Sequence, residues 1–455
     1  MSFPVSAKEL SDPDFKKKIL KDTLITPKVK EGSKFDVPIK PFTLALIKDD
    51  VLHIPLYYYY SQFSDSLTSF ESRDDTENGN WQYLPEIQNQ TILRTNQIEI
   101  IDTAKSHLKQ FNTTTLCVPP GEGKTIMAIY LATFLNFKTL IIVPSSLASI
   151  IPQWEKSIET SFELIDKSSI LIVPEFAKSD KIIDDDKINF IISLDTRVKG
   201  IPKILLDKIG TVVYDEAHLL CTSGKVEALL LPTPKYIIAL SATLEREDGA
   251  DCMFKKLIAG PHSINKLSSK KFTVQVIRNP VKFQYQFNDT TGTMNYTEFC
   301  KDIANNQMCN QKIIDIVKSS EKERKFIILS KFIEHAKLLS KMLKEEGIAT
   351  AVMAGKIKRH PDVKALVGTF PKISTGYDLA TAAENFDGNP ANTLILTHTI
   401  AKWQSFEQSK GRIMRESECE LTPIVYWMAT ENKLTITHLE KISEHISKTN
   451  GKIIF

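Results

Sequence analysis

The sequence predicts an α/β protein: two tandem units of parallel sheet wrapped by helices, preceded by a small α+β module. Three observations carry that expectation. Short apolar runs alternate with amphipathic stretches twice along the chain, over residues 113–240 and again over 325–428. A glycine-lysine loop, PPGEGKT at 119–125, joins the first apolar run to a helical stretch. A later run, TVVYDEAH at 211–218, ends in Asp215 and Glu216, and open α/β sheets bind their ligands at the carboxyl ends of the strands.

With 455 residues, the chain is expected to hold about three domains of ordinary size. The boundaries read as an accessory module over 1–80, a first sheet unit over 81–265 and a second over 266–455. Residues are 42% hydrophobic and 25% charged, the balance of a soluble globular protein. The formal charge of +3 means that any nucleic-acid surface is a local stripe. Six cysteines are scattered with no C-x-x-C pair, which predicts no structural zinc, no disulfide scaffold and a reducing compartment. No apolar run approaches a membrane span, and the polar start MSFPVSAKEL does not read as a signal peptide. The expectation is an intracellular, soluble protein without a membrane partner.

Residues 1–41 are lysine-rich with several prolines and read as a solvated arm. In FTLALIKDDVLHIPLYYYYSQF (42–63), apolar runs flank Asp49–Asp50, the pattern of a β-hairpin with an acidic turn. Its tyrosines, 57–60, are expected as strand core with hydroxyls at the edge, the alternative being a stacking surface for bases. SRDDTENGN (72–80) is turn-rich and marks the first boundary. Ile98, Ile101, Ala104 and Leu108 then have helical spacing.

In the stretch 113–135, a strand, a glycine loop and a helix follow one another. Gly121 and Gly123 let backbone N–H groups turn toward a phosphate, Lys124 offers a charge to β/γ-phosphates, and Thr125 a hydroxyl to Mg²⁺. Further strands are expected at Thr139–Val143, Asn189–Ser193, Thr211–Tyr214 and Tyr236–Leu240. At the end of the last, Ser241 and Thr243 have short hydroxyls that suit a contact with the DEAH carboxylates; ordinary capping is the bland alternative.

A basic, turn-rich segment (262–271) opens the second unit. Strands are expected at Lys325–Leu329, Thr350–Met353, Ala365–Gly368, Thr393–Thr397 and Ile424–Met428, with helices around Ile313–Val317 and Ile333–Glu346. No second glycine-lysine loop appears. QSKGRIMR (408–415) puts Gln408, Arg412 and Arg415 at i, i+4 and i+7, expected on one helix face. Gly411 permits close backbone approach, and paired arginines suit a γ-phosphate.

Taken in order, these motifs resemble the superfamily-two helicases over residues 91–430. LRTNQ (93–97) looks like the adenine-side motif, with Gln97 as base reader. PPGEGKT looks like motif I, which implies nucleotide contacts from Pro120, Gly121, Glu122, Gly123, Lys124 and Thr125. DEAH resembles motif II, SAT (241–243) motif III, STGYD (374–378) motif V and 408–415 motif VI. The resemblance implies two RecA-like domains, ATP, and Mg²⁺ held by Thr125 and Asp215. Glu216 is then the expected base, with Arg412, Arg415 and Gln408 as catalytic partners. His218, Ser241, Thr243, Gly376 and Asp378 are expected to couple hydrolysis to movement. Segments 143–150, 193–197 and 369–376 are the expected DNA contacts, with Ser145, Thr196, Arg246 and Thr369 as the individual picks.

Within that superfamily, Arg246-Glu247-Asp248, the VPSSL…QWEK stretch and LIAGP (257–261) look like the XPB-like group of DNA helicases. The pattern at 42–63 is similar to a short module ahead of the motor in helicases of large DNA viruses, and the whole looks most like the transcript-release helicases of poxviruses and their relatives. This implies a DNA-dependent ATPase that moves 3′ to 5′ in transcription elongation or termination. RNA polymerase or termination factors are the implied partners, and the virion and host cytoplasm the implied location if the chain is viral, the nucleus otherwise. Val118 and Thr375 depart from the usual patterns of motifs I and V, and KIKRH (356–360) is the nearest thing to a basic thumb. The alternatives are a DEAH-type RNA helicase, a repair or recombination helicase, and a non-catalytic subunit with a relic motor fold.

Overall fold

Runs of β-branched and aliphatic residues form strands when both faces of a sheet are covered, and most apolar runs of this chain do so. The computed structural model describes residues 2–5, 13–28, 40–48, 51–63, 81–84, 89–162, 167–173, 187–242, 245–246, 248–266, 270–284, 287, 295–373, 382–415, 421–430 and 433–455. The chain divides into two compact units: 1–118 with 123–266, and 119–122 with 267–455.

The first unit begins with β1 (Ser2–Val5), β2 (Leu24–Ile25), β3 (Phe42–Thr43), β4 (Leu46–Lys48) and β5 (Val51–Pro55). β1, β5 and β4 make an antiparallel sheet in that order, and β2 pairs with β3. β4 and β5 pair antiparallel, Lys48 against Val51, as the expected hairpin requires; residues 49–50, the expected acidic turn, lie outside the described ones. The tyrosine run is a correction. It is no strand but part of the helix Leu56–Phe63. Tertiary packing overrides the β preference of tyrosine here. Tyr58 is buried with its hydroxyl donating to Asp22 at 2.9 Å, and Tyr57 lies over Gly260, whose φ of +70° and missing Cβ leave room for the ring.

Seven parallel strands follow: β6 (Thr113–Cys117), β7 (Thr139–Val143), β8 (Ile170–Ile172), β9 (Phe190–Leu194), β10 (Thr211–Tyr214), β11 (Tyr236–Ser241) and β12 (Ser263–Asn265). Their order is β12-β6-β11-β10-β7-β9-β8. β8 was not foreseen, and β12 lies inside the segment read as turn. On one face of the sheet Leu140, Ile142, Val212 and Tyr214 pack with Ile19, Leu44, Leu52 and Ile54, so the N-terminal residues complete this unit's core. On the other face lie Ile101, Leu108, Met127 and Trp154. The helix Thr95–Phe111 buries Gln97, Ile100, Ile101, Ala104 and Leu108, while Ile98, expected on the buried face, is exposed.

The second unit contains β13 (Phe272–Arg278), β14 (Phe326–Ser330), β15 (Thr350–Met353), β16 (His360–Pro361), β17 (Ala365–Thr369), β18 (Ala383–Glu384), β19 (Thr393–Leu396), β20 (Ile424–Ala429) and β21 (Gly451–Ile454). Seven form a parallel sheet in the order β15-β17-β14-β19-β20-β13-β21, and β16 pairs with β18. β13 and β21 were not foreseen. Helices Gln307–Lys318 and Ile333–Glu345 contain the two expected helical segments.

Candidate active site

β6 runs into the glycine loop, and the helix Lys124–Leu135 starts directly after it. Gly121 and Gly123 have φ of +92° and +80°, the left-handed region in which only glycine sits without strain. Such a turn at a helix N-terminus aims backbone N–H groups at an anion. The Lys124 ammonium donates to the Val118 carbonyl at 2.9 Å. Pro120 and Glu122 lie in the loop, and Thr125 is half-buried in the helix's first turn. Gln97 is buried against this loop: a Cβ on Gly123 would come within 2.4 Å of its Nε2. Its Oε1 accepts from the Arg94 backbone N–H at 3.0 Å, which fixes the carboxamide.

β11 lies between β6 and β10, and the register sets Tyr214 level with Ala239 and Ile142. Asp215 and Glu216 therefore emerge at the carboxyl edge, with one strand between theirs and the one that feeds the glycine loop. Asp215 is buried; its Oδ2 accepts from Trp154 Nε1 at 2.8 Å and its Oδ1 from the Glu216 N–H at 2.9 Å. Burial, and next the Glu216 charge, push its carboxyl up to about 6, against the opposing pull of Trp154 and Lys124. Glu216 holds φ of +41°, a strained setting for a side chain with a Cβ. Its Oε2 is buried without a hydrogen bond.

His218 contacts Ser241, with Nδ1 2.9 Å from the hydroxyl. The same nitrogen lies 3.4 Å from Glu216 Oε2. Burial lowers the imidazole's pKa, so at neutral pH this is a contact of a neutral ring rather than an ion pair. Arg246 donates to the His218 carbonyl at 2.6 Å and to both Asp248 oxygens at 2.9 and 2.6 Å. The segment singled out as R-E-D thereby grips the DEAH loop, and these donors of Arg246 are committed within the unit.

Ser145 and Thr196 follow β7 and β9. The Ser145 N–H donates to the Asp195 carboxylate, which also pairs with Lys225, and Lys225 donates to the Ser145 hydroxyl at 3.1 Å. Sequence reasoning picked none of Trp154, Asp195 and Lys225 individually. Trp154 left a signal as the aromatic of the QWEK stretch and Asp195 lies within the expected segment 193–197, whereas Lys225 left none. Thr243, Gly376 and Asp378 lie outside the described residues.

In the second unit Thr369 ends β17 and is buried. Gln408 lies on the helix Trp403–Lys410, but the helix stops there. Arg412 and Ile413 bond back to Ser409 and Lys410, three residues earlier. Arg412 and Arg415 are therefore on the turn that follows, not on one helix face with Gln408, a correction to the sequence expectation. The chain bends after Gly411 to bury Ile413 and Met414. Lys270 donates to the Arg415 carbonyl at 2.7 Å.

The family described as type III restriction enzyme, res subunit, matches residues 90–246, which hold the glycine loop, the DEAH strand end and Ser241. A viral protein, "Putative helicase 161L" of Invertebrate iridescent virus 6, is 30% identical over 385 residues, covering 80% of this chain and 81% of its own. The chain belongs to the superfamily-two helicases. "DNA 3'-5' translocase XPB2" of Sulfurisphaera tokodaii is 29% identical to this helicase over 191 residues, 41% of the chain and 39% of that protein. The solved structure of S. cerevisiae Dbp5 bound to RNA and ADP BeF3 covers 78% of the helicase and 89% of its own chain, with TM-score 0.52 and 15% identity. That likeness is one of fold: two tandem RecA-like domains.

Membership makes the helicase an ATP-hydrolysing, nucleic-acid-remodelling enzyme and implies a divalent cation, ordinarily Mg²⁺. The residues present fit one. Asp215 is buried with a raised pKa, and Glu216 beside it has a buried oxygen without a hydrogen bond, so a cation at this strand end would relieve both carboxylates. Among the described residues no helix is long and apolar enough to cross a membrane, and no three His, Cys, Asp or Glu side chains gather as a metal cluster.

Proposed function

We propose that this helicase is a DNA translocase that moves 3′ to 5′ and acts in viral transcription, at elongation, termination or transcript release. The observation that carries the motor reading is the convergence of Asp215, Glu216 and His218 on Ser241 and Arg246 at one strand end. The DNA assignment is supported by the similarity to a protein named a DNA 3′–5′ translocase. Partners of such an enzyme are RNA polymerase or termination factors, and its place is the virion and host cytoplasm. In this reading residues 1–80 are the accessory module, 81–265 the ATP-binding domain and 266–455 the second motor domain.

ATP's adenine lies on Gln97 and its phosphates on the loop Pro120–Thr125, where backbone N–H groups and Lys124 neutralise them. Thr125 and Asp215 would hold the cation, which would supply charge neutralisation to the bound phosphates. Glu216 orients the attacking water and takes its proton; its Oε2, which makes no hydrogen bond, suits that task. Arg412, Arg415 and Gln408 stabilise the transition-state charge. His218, Ser241, Thr243, Gly376 and Asp378 pass the state of the site onward; Ser145 and Thr196 are the strand contacts of the first unit, with Arg246, whose donors hold His218 and Asp248, and the buried Thr369 shaping the surface beneath the strand. Nucleic acid held through phosphates is bound without regard to sequence, as translocation needs.

The test is ATPase activity of the purified chain with duplex DNA, single-stranded DNA and RNA, followed by strand displacement on tailed duplexes. Stimulation by DNA and displacement from 3′ tails is the expected result. Stimulation by RNA alone would replace this reading with a DEAH-type RNA helicase.

A further inference from the structure

The second unit's sheet changes winding direction between β14 and β19: from β14 the chain runs to β15 and β17 on one side, then to β19 and β20 on the other. The crevice outside the carboxyl ends of such a pair is where doubly wound sheets take ligands. A cleft of about 500 Å³ lies there. Lys331 follows β14 and Phe370 follows β17, while His398, Thr399 and Ile400 come just after β19. Tyr296 and His438 close it from the helices Tyr296–Asn305 and Lys433–Lys448. No glycine-lysine loop stands in this unit's sequence, so the cleft is not a second site of the P-loop kind.

Its chemistry is one-sided. Among the described residues none that lines it is acidic. Lys331 stands 4.4 Å over the Tyr296 ring and donates to the Thr297 hydroxyl at 3.3 Å, and among the described residues no carboxylate pairs with it. Phe370 meets His398 edge-on, with ring centroids 4.8 Å apart. Burial and then the Lys331 charge hold His398 down to about 3, so the ring is neutral. The wall is also fixed in place. Tyr296 donates its hydroxyl proton to the Thr399 carbonyl at 2.7 Å, and the Thr399 hydroxyl lies 2.9 Å from His438 Nδ1. Aromatic faces beside one unneutralised ammonium suit an aromatic ligand that carries a negative charge, and a strand of nucleic acid offers that combination at every residue. Thr369, an expected strand contact, directly precedes Phe370.

We propose that this cleft receives one base of the bound single strand, stacked on Phe370, with Lys331 on its phosphate. The inference rests on the nucleic-acid reading above. It gives the motor a sequence-tolerant foothold, because every base has a face to stack.

Binding of a fluorescent oligothymidylate to the full chain, measured by anisotropy over a range of salt, tests it. Phe370→Leu should weaken binding about 5- to 100-fold, as loss of one base stack does, with the salt slope unchanged; Phe370→Trp should restore it. Lys331→Gln should flatten the slope of log K against log salt by about 0.7, the share of one phosphate on a single strand. A 2-aminopurine walked along the strand should change emission at one position in the wild type and at none in Phe370→Leu. If the wild type binds and the variants match it in affinity and slope, the cleft is not the foothold. Displacement of wild-type signal by thymidine monophosphate, with strand affinity untouched by the variants, would also overturn it in favour of a free nucleotide. If the wild type binds no strand, the nucleic-acid reading falls as well.

Discussion

His218 and Ser241 meet at 2.9 Å across the carboxyl ends of two neighbouring strands, β10 and β11. The contact joins the DEAH strand end to the end of β11. Ser241 is fully buried. Removing its hydroxyl leaves a buried imidazole nitrogen without that partner, which costs about 1–3 kcal/mol. Ser241→Ala should lower stability in urea by that amount and reduce the base pairs opened per ATP consumed.

Gly123→Ala places a methyl where φ is +80° and where Gln97 Nε2 lies 2.4 Å away. Both the backbone and the Gln97 carboxamide must shift. Strain of this kind costs about 1–3 kcal/mol, so nucleotide affinity measured by calorimetry should fall about tenfold or more. Adding Gln97→Ala removes the clash but not the backbone strain, and should recover little.

Asp215 carries a pH prediction. Its carboxyl titrates at about 6 in the folded chain, against 3.8 for the ordinary group. Between those values the folded state holds the proton more often than the unfolded one, so metal-free stability should fall as pH rises from about 4 to about 6 and then level off. Bound Mg²⁺ with nucleotide should cancel that fall. Cation binding competes with the same proton, so ATPase activity at limiting Mg²⁺ should drop as pH falls through about 6.

Below the arginine turn, Glu407 accepts from Lys410 and His445 at 2.8 Å each, and Lys410 is buried over the Phe272 ring. Glu407→Gln strands the Lys410 charge. The expected cost is about 3–5 kcal/mol, read from urea unfolding of the whole chain. Lys410→Met on the Glu407→Gln background should restore most of it.

Much of the site was legible because its residues are local in sequence. The glycine loop, the DEAH strand end and Ser241 each follow an apolar run buried on both faces, and β7, β10 and β15 end where their apolar runs do. β13 was missed because FTVQVIR is buried only in part, with no unbroken apolar run to mark it. The tyrosine helix packs against a partner far along the chain, Gly260, while the helix at Lys410 ends because the residues just after it, Ile413 and Met414, turn to be buried. Trp154 on Asp215 joins residues 61 apart in sequence, and no periodicity reports such a pair.

The central claim is that Glu216 activates the water of an ATP-driven motor, and Glu216→Gln tests it most directly. Steady-state ATPase with saturating nucleic acid should fall by about 100-fold or more, the range expected on losing a positioned general base, while ATP still binds. A Glu216→Gln protein that keeps its nucleic-acid-stimulated ATPase would contradict the account.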